Sequence, residues 1–381
     1  MKVLIVNTLY SPYKVGGAEV STQLLAETLV SKGHQVRVVT LTKETRRSQS
    51  EINGVEVVYV PLKNLYWPFS STNQPAWKRL CWHLIDLYNL RMAKQVEQDL
   101  LEFKPDVVHT NNLAGFSVAV WSMIKRHRMR LVHTMRDYYL FHPNCTLFKD
   151  GKDIPIQAKS VRTWSWLKRH MSKKVDVAVG ISHSISELHQ KNGMFSNAKS
   201  AVVYNPVPTP KVKNNTGKPL TIGTIGRLTS EKGFDEFCHI SERYNDKGVR
   251  FAAAGRFASG VLGEQLKNRA EKANIDLLGF VSLEAFLETV DIVVLPVKWQ
   301  EPFGRTVVEC ALAGKLVFVS SKGGITELIP QFANVRNMSE FERYIDGLDG
   351  NSEIKQVEIS TSLSEGFSLS NIACQYIENY K

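Results

Sequence analysis

Glu301 and Glu309 bracket the run Glu301-Pro302-Phe303-Gly304-Arg305-Thr306-Val307-Val308-Glu309, which follows an apolar stretch ending at Leu295-Pro296. Pro302 and Gly304 keep the first residues out of a helix that the pattern then carries to about Ala313. Glu301 is therefore expected in a loop and Glu309 inside the helix, both near its N-terminal end. Paired carboxylates repel phosphate but accept hydrogen bonds from adjacent hydroxyls, which sugars and ribose present. A solvated helix position for Glu309 and a cap for Glu301 is the plainer alternative. The apolar run Cys310-Ala311-Leu312-Ala313-Gly314 speaks against it. A second run, Gly223-Thr224-Ile225-Gly226-Arg227-Leu228-Thr229-Ser230-Glu231-Lys232-Gly233, closes a strand and opens a helix. Its glycines let backbone approach a ligand. Arg227 as a fork and Lys232 as a point charge suit a diphosphate. The same residues also fit a glycine-rich surface turn with solvated charges.

The elements that must position these residues alternate along the chain. Strands are expected at Lys2–Thr8, Gln35–Leu41, Val55–Pro61, Asp106–Thr110, Leu131–Thr134 and Asp176–Ile181. After the turn Val15-Gly16-Gly17 comes a helix over Ala18–Lys32, stopped by Gly33. The pattern restarts with strands Leu220–Ile225, Val249–Ala254, Ile275–Leu278, Asp291–Pro296 and Lys315–Ser321. Helices are expected near 234–245, 261–273, 283–289, 304–313 and 339–347. Near-continuous Val/Ile/Leu strands alternating with helices mean parallel sheets covered on both faces. Two Rossmann-like domains follow, 1–205 and 220–366. A Pro/Lys/Asn-rich linker at 206–219 is expected to be exposed, and a last helix, about 369–380 within the terminal segment 367–381, could pack back on the first domain. Ligands in such sheets bind beyond the carboxyl ends of strands, in a cleft that the two domains would face.

Composition narrows the partners. The 381 residues are 43% hydrophobic and 22% charged, as in an ordinary soluble protein. No run approaches the roughly 18 apolar residues of a membrane span. The first apolar run is too short for a signal peptide. Five scattered cysteines without a C-x-x-C pair make zinc an unexpected ligand and a reducing cytoplasm the expected setting. Residues 1–205 hold 28 Lys and Arg against 15 Asp and Glu, whereas residues 206–381 hold 20 against 22. A basic first half implies a polyanionic partner or merely a soluble basic surface.

The ordered motifs resemble the retaining GT-B glycosyltransferases of family 4. Those motifs are Gly226-Arg227-Leu228 with Glu231-Lys232-Gly233, the Glu301…Glu309 run, and Gly323-Gly324-Ile325-Thr326-Glu327. Gly16-Gly17-Ala18-Glu19, Asp106-Val107-Val108-His109 and Val203-Tyr204-Asn205-Pro206 extend the resemblance over nearly the whole chain. It implies that Arg227 and Lys232 hold the donor diphosphate and stabilise its leaving charge. Glu309 would bond the ribose and Glu301 the transferred sugar, helped by backbone around Pro302, Phe303 and Gly304. Gly16 and Gly17 would let their loop approach phosphate and acceptor, with Gly323-Gly324 behind the donor pocket. Related chains carry T-x-H-D where this one has Thr134-Met135-Arg136-Asp137. Arg136 does not lose its proton and so is no general base; it could contact a phosphate or an acidic acceptor. Asp137 or His109 could then make polar contacts near the sugar. The chain has no D-x-D run, so neither metal nor cofactor is expected. The implied mechanism is front-face, with the leaving phosphate taking the acceptor's proton and the domains closing about Asn205–Pro210.

Tyr66-Trp67-Pro68-Phe69, Trp77-Lys78-Arg79-Leu80-Cys81-Trp82, Lys125–Arg130 and Trp164-Ser165-Trp166-Leu167-Lys168-Arg169 mix rings with cations, as interfacial helices do. They also fit core residues of acceptor loops. The expected partners are a UDP- or GDP-sugar donor, a glycan or lipid-diphosphate-linked acceptor, and an anionic membrane touched by the first domain from its cytoplasmic face. An epimerase of the same fold is the nearest rival, and it would need acid/base groups around the sugar. No nucleic-acid motif accompanies the basic surface. No G-x-G-x-x-G follows the first strand, which disfavours a dinucleotide enzyme.

Overall fold

The computed structural model describes residues 1–13, 16–69, 74–212 and 219–381. Two compact units emerge. One comprises Met1–Leu147, Ile154–Pro206 and Leu369–Lys381, and the other Phe148–Asp153 and Val207–Ser368.

The first unit contains β1 (Lys2–Val6), α1 (Gly17–Ser31), β2 (Gln35–Thr42), β3 (Ser48–Ile52), β4 (Val55–Pro61), α2 (Ala76–Leu87), α3 (Leu90–Phe103), β5 (Val107–Thr110), α4 (Ala119–Arg126) and β6 (Arg130–Met135). The chain then gives the hairpin β7 (Phe148–Lys149) and β8 (Lys152–Asp153) to the second unit. It returns with α5 (Lys159–Ser172), β9 (Val177–Gly180), α6 (His183–Lys191) and β10 (Lys199–Val202). Strand order is β10-β9-β6-β5-β1-β2-β4-β3. All pairings are parallel except β3 on β4. The parallel strands β1, β5 and β9 are buried along nearly their whole length because helices cover both faces, whereas β10 at the sheet edge is largely exposed. Ser48–Ile52 is polar and largely exposed, as suits an edge strand.

The second unit contains β11 (Thr221–Leu228), α7 (Phe234–Tyr244), β12 (Arg250–Phe257), α8 (Val261–Lys272), β13 (Ile275–Gly279), α9 (Leu283–Thr289), β14 (Ile292–Leu295), α10 (Arg305–Leu312), β15 (Leu316–Val319), β16 (Val335–Asn337), α11 (Phe341–Asp346) and α12 (Thr361–Gly366). Its strands run β13-β12-β11-β14-β15-β16, all parallel. Each unit is thus a Rossmann-like α/β sandwich. The last helix, α13 (Leu369–Tyr380), belongs to the first unit. Ile372, Ala373, Tyr376 and Tyr380 enter the core that holds Val3, Ile5, Leu25 and Val132.

Three expected boundaries move. Residues 148–153, expected in the first domain, fold with the second, where Asp153 accepts from Gln300 and pairs with Lys322. Phe367, expected in the terminal segment with the last helix, belongs to the second unit instead and stacks on Phe332 at 5.6 Å. Val207, expected in an exposed linker, is buried, and its amide donates to the Phe367 carbonyl at 2.9 Å. Residues 213–218 of that linker, and Val15 of the expected turn, lie outside the described residues.

Candidate active site

On the second unit, β11 delivers Gly226 and Arg227 to the carboxyl edge of the sheet, and Lys232 follows in the 3-10 turn Ser230–Lys232. Gly233 is left-handed at φ 77° and caps α7. A Cβ there would lie 1.8 Å from the Pro296 carbonyl oxygen, so glycine alone lets this turn press against the end of β14. The Glu231 carbonyl accepts from the amides of Lys298 and Trp299, stitching turn and loop together. The result is a 2.6 Å ion pair between Lys232 Nζ and Glu301 Oε2, with the ammonium 5.3 Å from the Trp299 ring centre. Arg227 keeps half its side chain in solvent (52%) and lies 3.5 Å from Glu231.

The Glu301 loop is braced from behind. Gly323 and Gly324 form a 3-10 turn whose missing Cβ atoms would fall 2.4 Å from Glu301 O and 2.5 Å from Pro302 O. The Gly324 amide donates to Glu301 O at 2.7 Å, and the Gly323 amide to Gln300 Oε1 at 2.9 Å. Gln300 Nε2 in turn donates to Asp153 Oδ2 of the β7–β8 hairpin at 3.0 Å. Phe303 is buried and faces Phe367 at 6.4 Å. Gly304 (φ 94°) caps α10, where a Cβ would strike Ile325. Glu309, one turn into α10, accepts from Arg305 Nε at 2.7 Å. Burial raises its pKa and the guanidinium pulls the other way. The arrangement sets Lys232 against Glu301 beyond the ends of the neighbouring strands β11 and β14, with Arg227 at the end of β11, suited to a phosphate with a polyhydroxyl neighbour. A cavity of about 670 Å³ lies elsewhere on this unit, between α7 and α11, and is lined by neither Arg227, Lys232, Glu301 nor Glu309.

On the first unit, Gly16 caps α1 in ordinary extended geometry, and its amide donates to Glu19 Oε2 at 2.8 Å. Gly17 begins the helix. Arg136 follows β6 and is buried, with Nε on Asn111 Oδ1 at 2.8 Å and Nη1 on Asn205 Oδ1 at 2.5 Å. Asp137 accepts from the Tyr139 amide at 2.8 Å. Burial pushes its carboxyl up to about 6, opposed by that hydrogen bond and by Lys168, and aided by nearby Glu19.

His109 is a buried residue of the first sheet. It lies within β5, fully buried, with Nδ1 2.8 Å from Tyr380 Oη and Nε2 2.7 Å from Thr134 Oγ1. Burial holds its pKa well below the usual imidazole range. The expected polar contact from His109 is therefore corrected: its ring is a core fitting that ties α13 to the sheet. Sequence reading also missed Trp299, Arg305 and the Asp153–Gln300 link. Trp299 and Gln300 immediately precede Glu301, and Arg305 stands four residues before Glu309, the spacing of a helical ion pair. Nothing local in the sequence points to Asp153.

Comparison with known proteins decides the family. The family model described as Glycosyltransferase Family 4 matches residues 15–211, and that described as Glycosyl transferases group 1 matches residues 208–346. The chain belongs to glycosyltransferase family 4. Among curated relatives of this glycosyltransferase, an uncharacterized 42.6 kDa protein in the cps region of Klebsiella pneumoniae is 43% identical, covering all of both chains. An uncharacterized glycosyltransferase of Methanocaldococcus jannaschii is 26% identical over 88% of this chain and 84% of the relative. Similar folds include sucrose-phosphate synthase from Thermosynechococcus elongatus (TM-score 0.70, 13% identity, 100% and 98% covered). Anabaena HepE in complex with UDP and glucose is another (TM-score 0.69, 16% identity, 100% and 99% covered). The fold is GT-B.

Proposed function

We propose that this glycosyltransferase moves a sugar, with retention at its anomeric carbon, from a UDP- or GDP-sugar to a glycan or lipid-diphosphate-linked acceptor in surface-polysaccharide synthesis. The observation that carries the reading is the Lys232–Glu301 pair at 2.6 Å, which sets a phosphate-type cation against a hydroxyl-type carboxylate. The fold shared with a protein described in complex with UDP-glucose supports the donor class, and the relative in a cps region supports the product class.

On this reading Arg227 and Lys232 bind the diphosphate, Glu301 and the backbone about Pro302–Gly304 hold the sugar, and Glu309 holds the ribose. The bond from C1 to the β-phosphate oxygen breaks and its electron pair stays on that oxygen, stabilised by the two cations. The acceptor hydroxyl forms the new bond to C1 on the same face, and its proton passes to the departing phosphate. Gly16 and Gly17 are assigned to phosphate and acceptor approach, Arg136 to shaping the acceptor side, and Asp137 to a polar contact there. Arg227 and Lys232 take the electrostatic task a divalent cation would otherwise perform, so turnover should persist in EDTA. The working site is the cytoplasmic face of the membrane, with the first unit as the membrane-facing part.

A thermal-shift panel of UDP- and GDP-sugars in EDTA tests the donor. Stabilisation by one nucleotide class is expected, and stabilisation by none would overturn the donor reading. Product stereochemistry, read by NMR, tests retention.

A further inference from the structure

α2 is turned the opposite way from an ordinary surface helix. Trp82 and Asp86 are its buried residues. The Trp82 indole donates to the Tyr66 carbonyl at 3.0 Å, and Asn64 Nδ2 donates to the Trp82 carbonyl at 3.1 Å. Asp86 accepts from the Gly115 amide at 2.7 Å and from the Tyr139 hydroxyl at 2.9 Å. Lys168 of α5 donates to the Tyr139 carbonyl at 2.6 Å, and the His83 ring meets Trp164 of α5 at 6.1 Å. These contacts fix the rotation of α2, so its outward face is set by the fold.

That outward face is apolar. Trp77, Leu80 and Leu84, at helical spacings of three and four, are 66%, 50% and 52% exposed. Leu90 continues the exposure at 61%, and Trp166 of α5 adds an indole that is 70% exposed. Soluble helices turn such a ridge inward, and contiguous exposure marks an interaction surface.

The charges select the partner. α2 and α5 carry Lys78, Arg79, Lys159, Arg162 and Arg169 besides the buried Lys168, and Asp86, which is buried, is their sole acid. Arg162 and His170 flank Trp166 one turn to either side. A second copy placed on this face would set cations on cations with no acid to answer them. An anionic bilayer accepts the rings at its headgroups and the cations on its phosphates.

We propose that the outward ridge of α2, with Trp166 of α5, is the surface by which this chain docks on an anionic membrane. The proposal rests on the membrane-facing transferase reading for its purpose and has its own readout.

The test is flotation of the full chain with phosphatidylcholine vesicles, with and without about one third phosphatidylglycerol, at near-physiological salt. The wild type is expected to float with the anionic vesicles alone. The triple variant Trp77→Ser, Leu80→Ser, Leu84→Ser should lose binding on the order of tenfold or more, and Trp166→Ser less. Phe280→Ser, which removes an equally exposed ring (74%) from the other unit, should change nothing. Circular dichroism and donor-dependent thermal stabilisation should be intact in the triple variant, which separates loss of docking from misfolding and from failure of the transferase reading. Undiminished vesicle binding by the triple variant would overturn the proposal, and so would a wild type that ignores anionic vesicles. A wild type that self-associates through these three residues would assign the face to a second copy instead.

Discussion

The two units share a sheet architecture and use their ionisable residues in opposite ways. The second unit keeps the charges proposed for the donor, Arg227, Lys232, Glu301 and Glu309, in some solvent contact. The first unit takes polar groups inside. His109, His133 and His189 are buried within it, as are Asp86, Lys168 and Arg136. Nine of the ten histidines belong to the first unit, and His239 alone belongs to the second. On the proposed reading the second unit grips an anionic donor, which needs charges the ligand can reach. A unit that presents a shaped wall can spend ionisable groups on locking loops together, at the risk of becoming sensitive to acid.

The sharpest way to break this contrast is to remove α13. Ile372, Ala373, Tyr376 and Tyr380 lie in the first core, and burying the three large side chains contributes about 1.5–3 kcal/mol each, with Ala373 adding about 0.8. Deleting residues 369–381 should therefore exceed the stability margin of the first unit. Hydrogen exchange should show protection lost there and kept in the second sheet; uniform protection would sink the assignment. Next come the donor charges. Lys232→Ala and Arg227→Ala should each cost about 10²–10³ in turnover with folding intact, as loss of a preorganised charge-stabilising contact does, and Glu301→Ala should lose most turnover through its contact with the sugar hydroxyls. Full activity in any of them removes that residue from the site.

Acid gives the third effect. Burial holds His189 down at about 4 and His133 down at about 3, below an unfolded value near 6.5. The unfolded chain binds more protons between those values, so this stability is present above about pH 6.5 and lost as pH falls. Asp137 runs the other way. With its carboxyl raised to about 6, its contribution is present below the unfolded carboxylate value and lost as pH rises through about 6. Urea midpoints followed by tryptophan fluorescence report the first unit, since Trp299 alone of the seven indoles belongs to the second. His189→Gln should flatten the acid limb and Asp137→Asn should steepen it, each by up to about 1.4 kcal/mol per pH unit. Unchanged slopes would show that these groups are not buried as described. The smallest effect is Tyr380→Phe, expected to cost about 1 kcal/mol through its bond to His109 while leaving kcat of the folded enzyme unchanged.

The proposed donor side was legible in the sequence because its signals are local. Gly233, Lys232 and the Glu301 loop each follow a strand with strong apolar patterning, and their roles depend on neighbours a few residues away. β3 escaped notice because Ser48–Ile52 carries no alternation of apolar residues; an edge strand in water needs none. The Asp153–Gln300 bond spans 147 positions, and no spacing rule reaches that far. His109 was misjudged for the same reason. Its strand-end position suggested a ligand, but the groups that claim its ring are Thr134 and Tyr380, the latter 271 positions away.

That long reach from His109 to Tyr380 also has a consequence in time. A ribosome makes β1 through β10 first, the β7–β8 hairpin among them, then the rest of the second unit, and only afterwards the helix that closes the first core. During that interval the sheet holds an imidazole without its tyrosine, and the groove for Tyr376 lies open. The nascent first unit therefore has to remain soluble while incomplete, and its cooperative folding is deferred until synthesis has passed through the second.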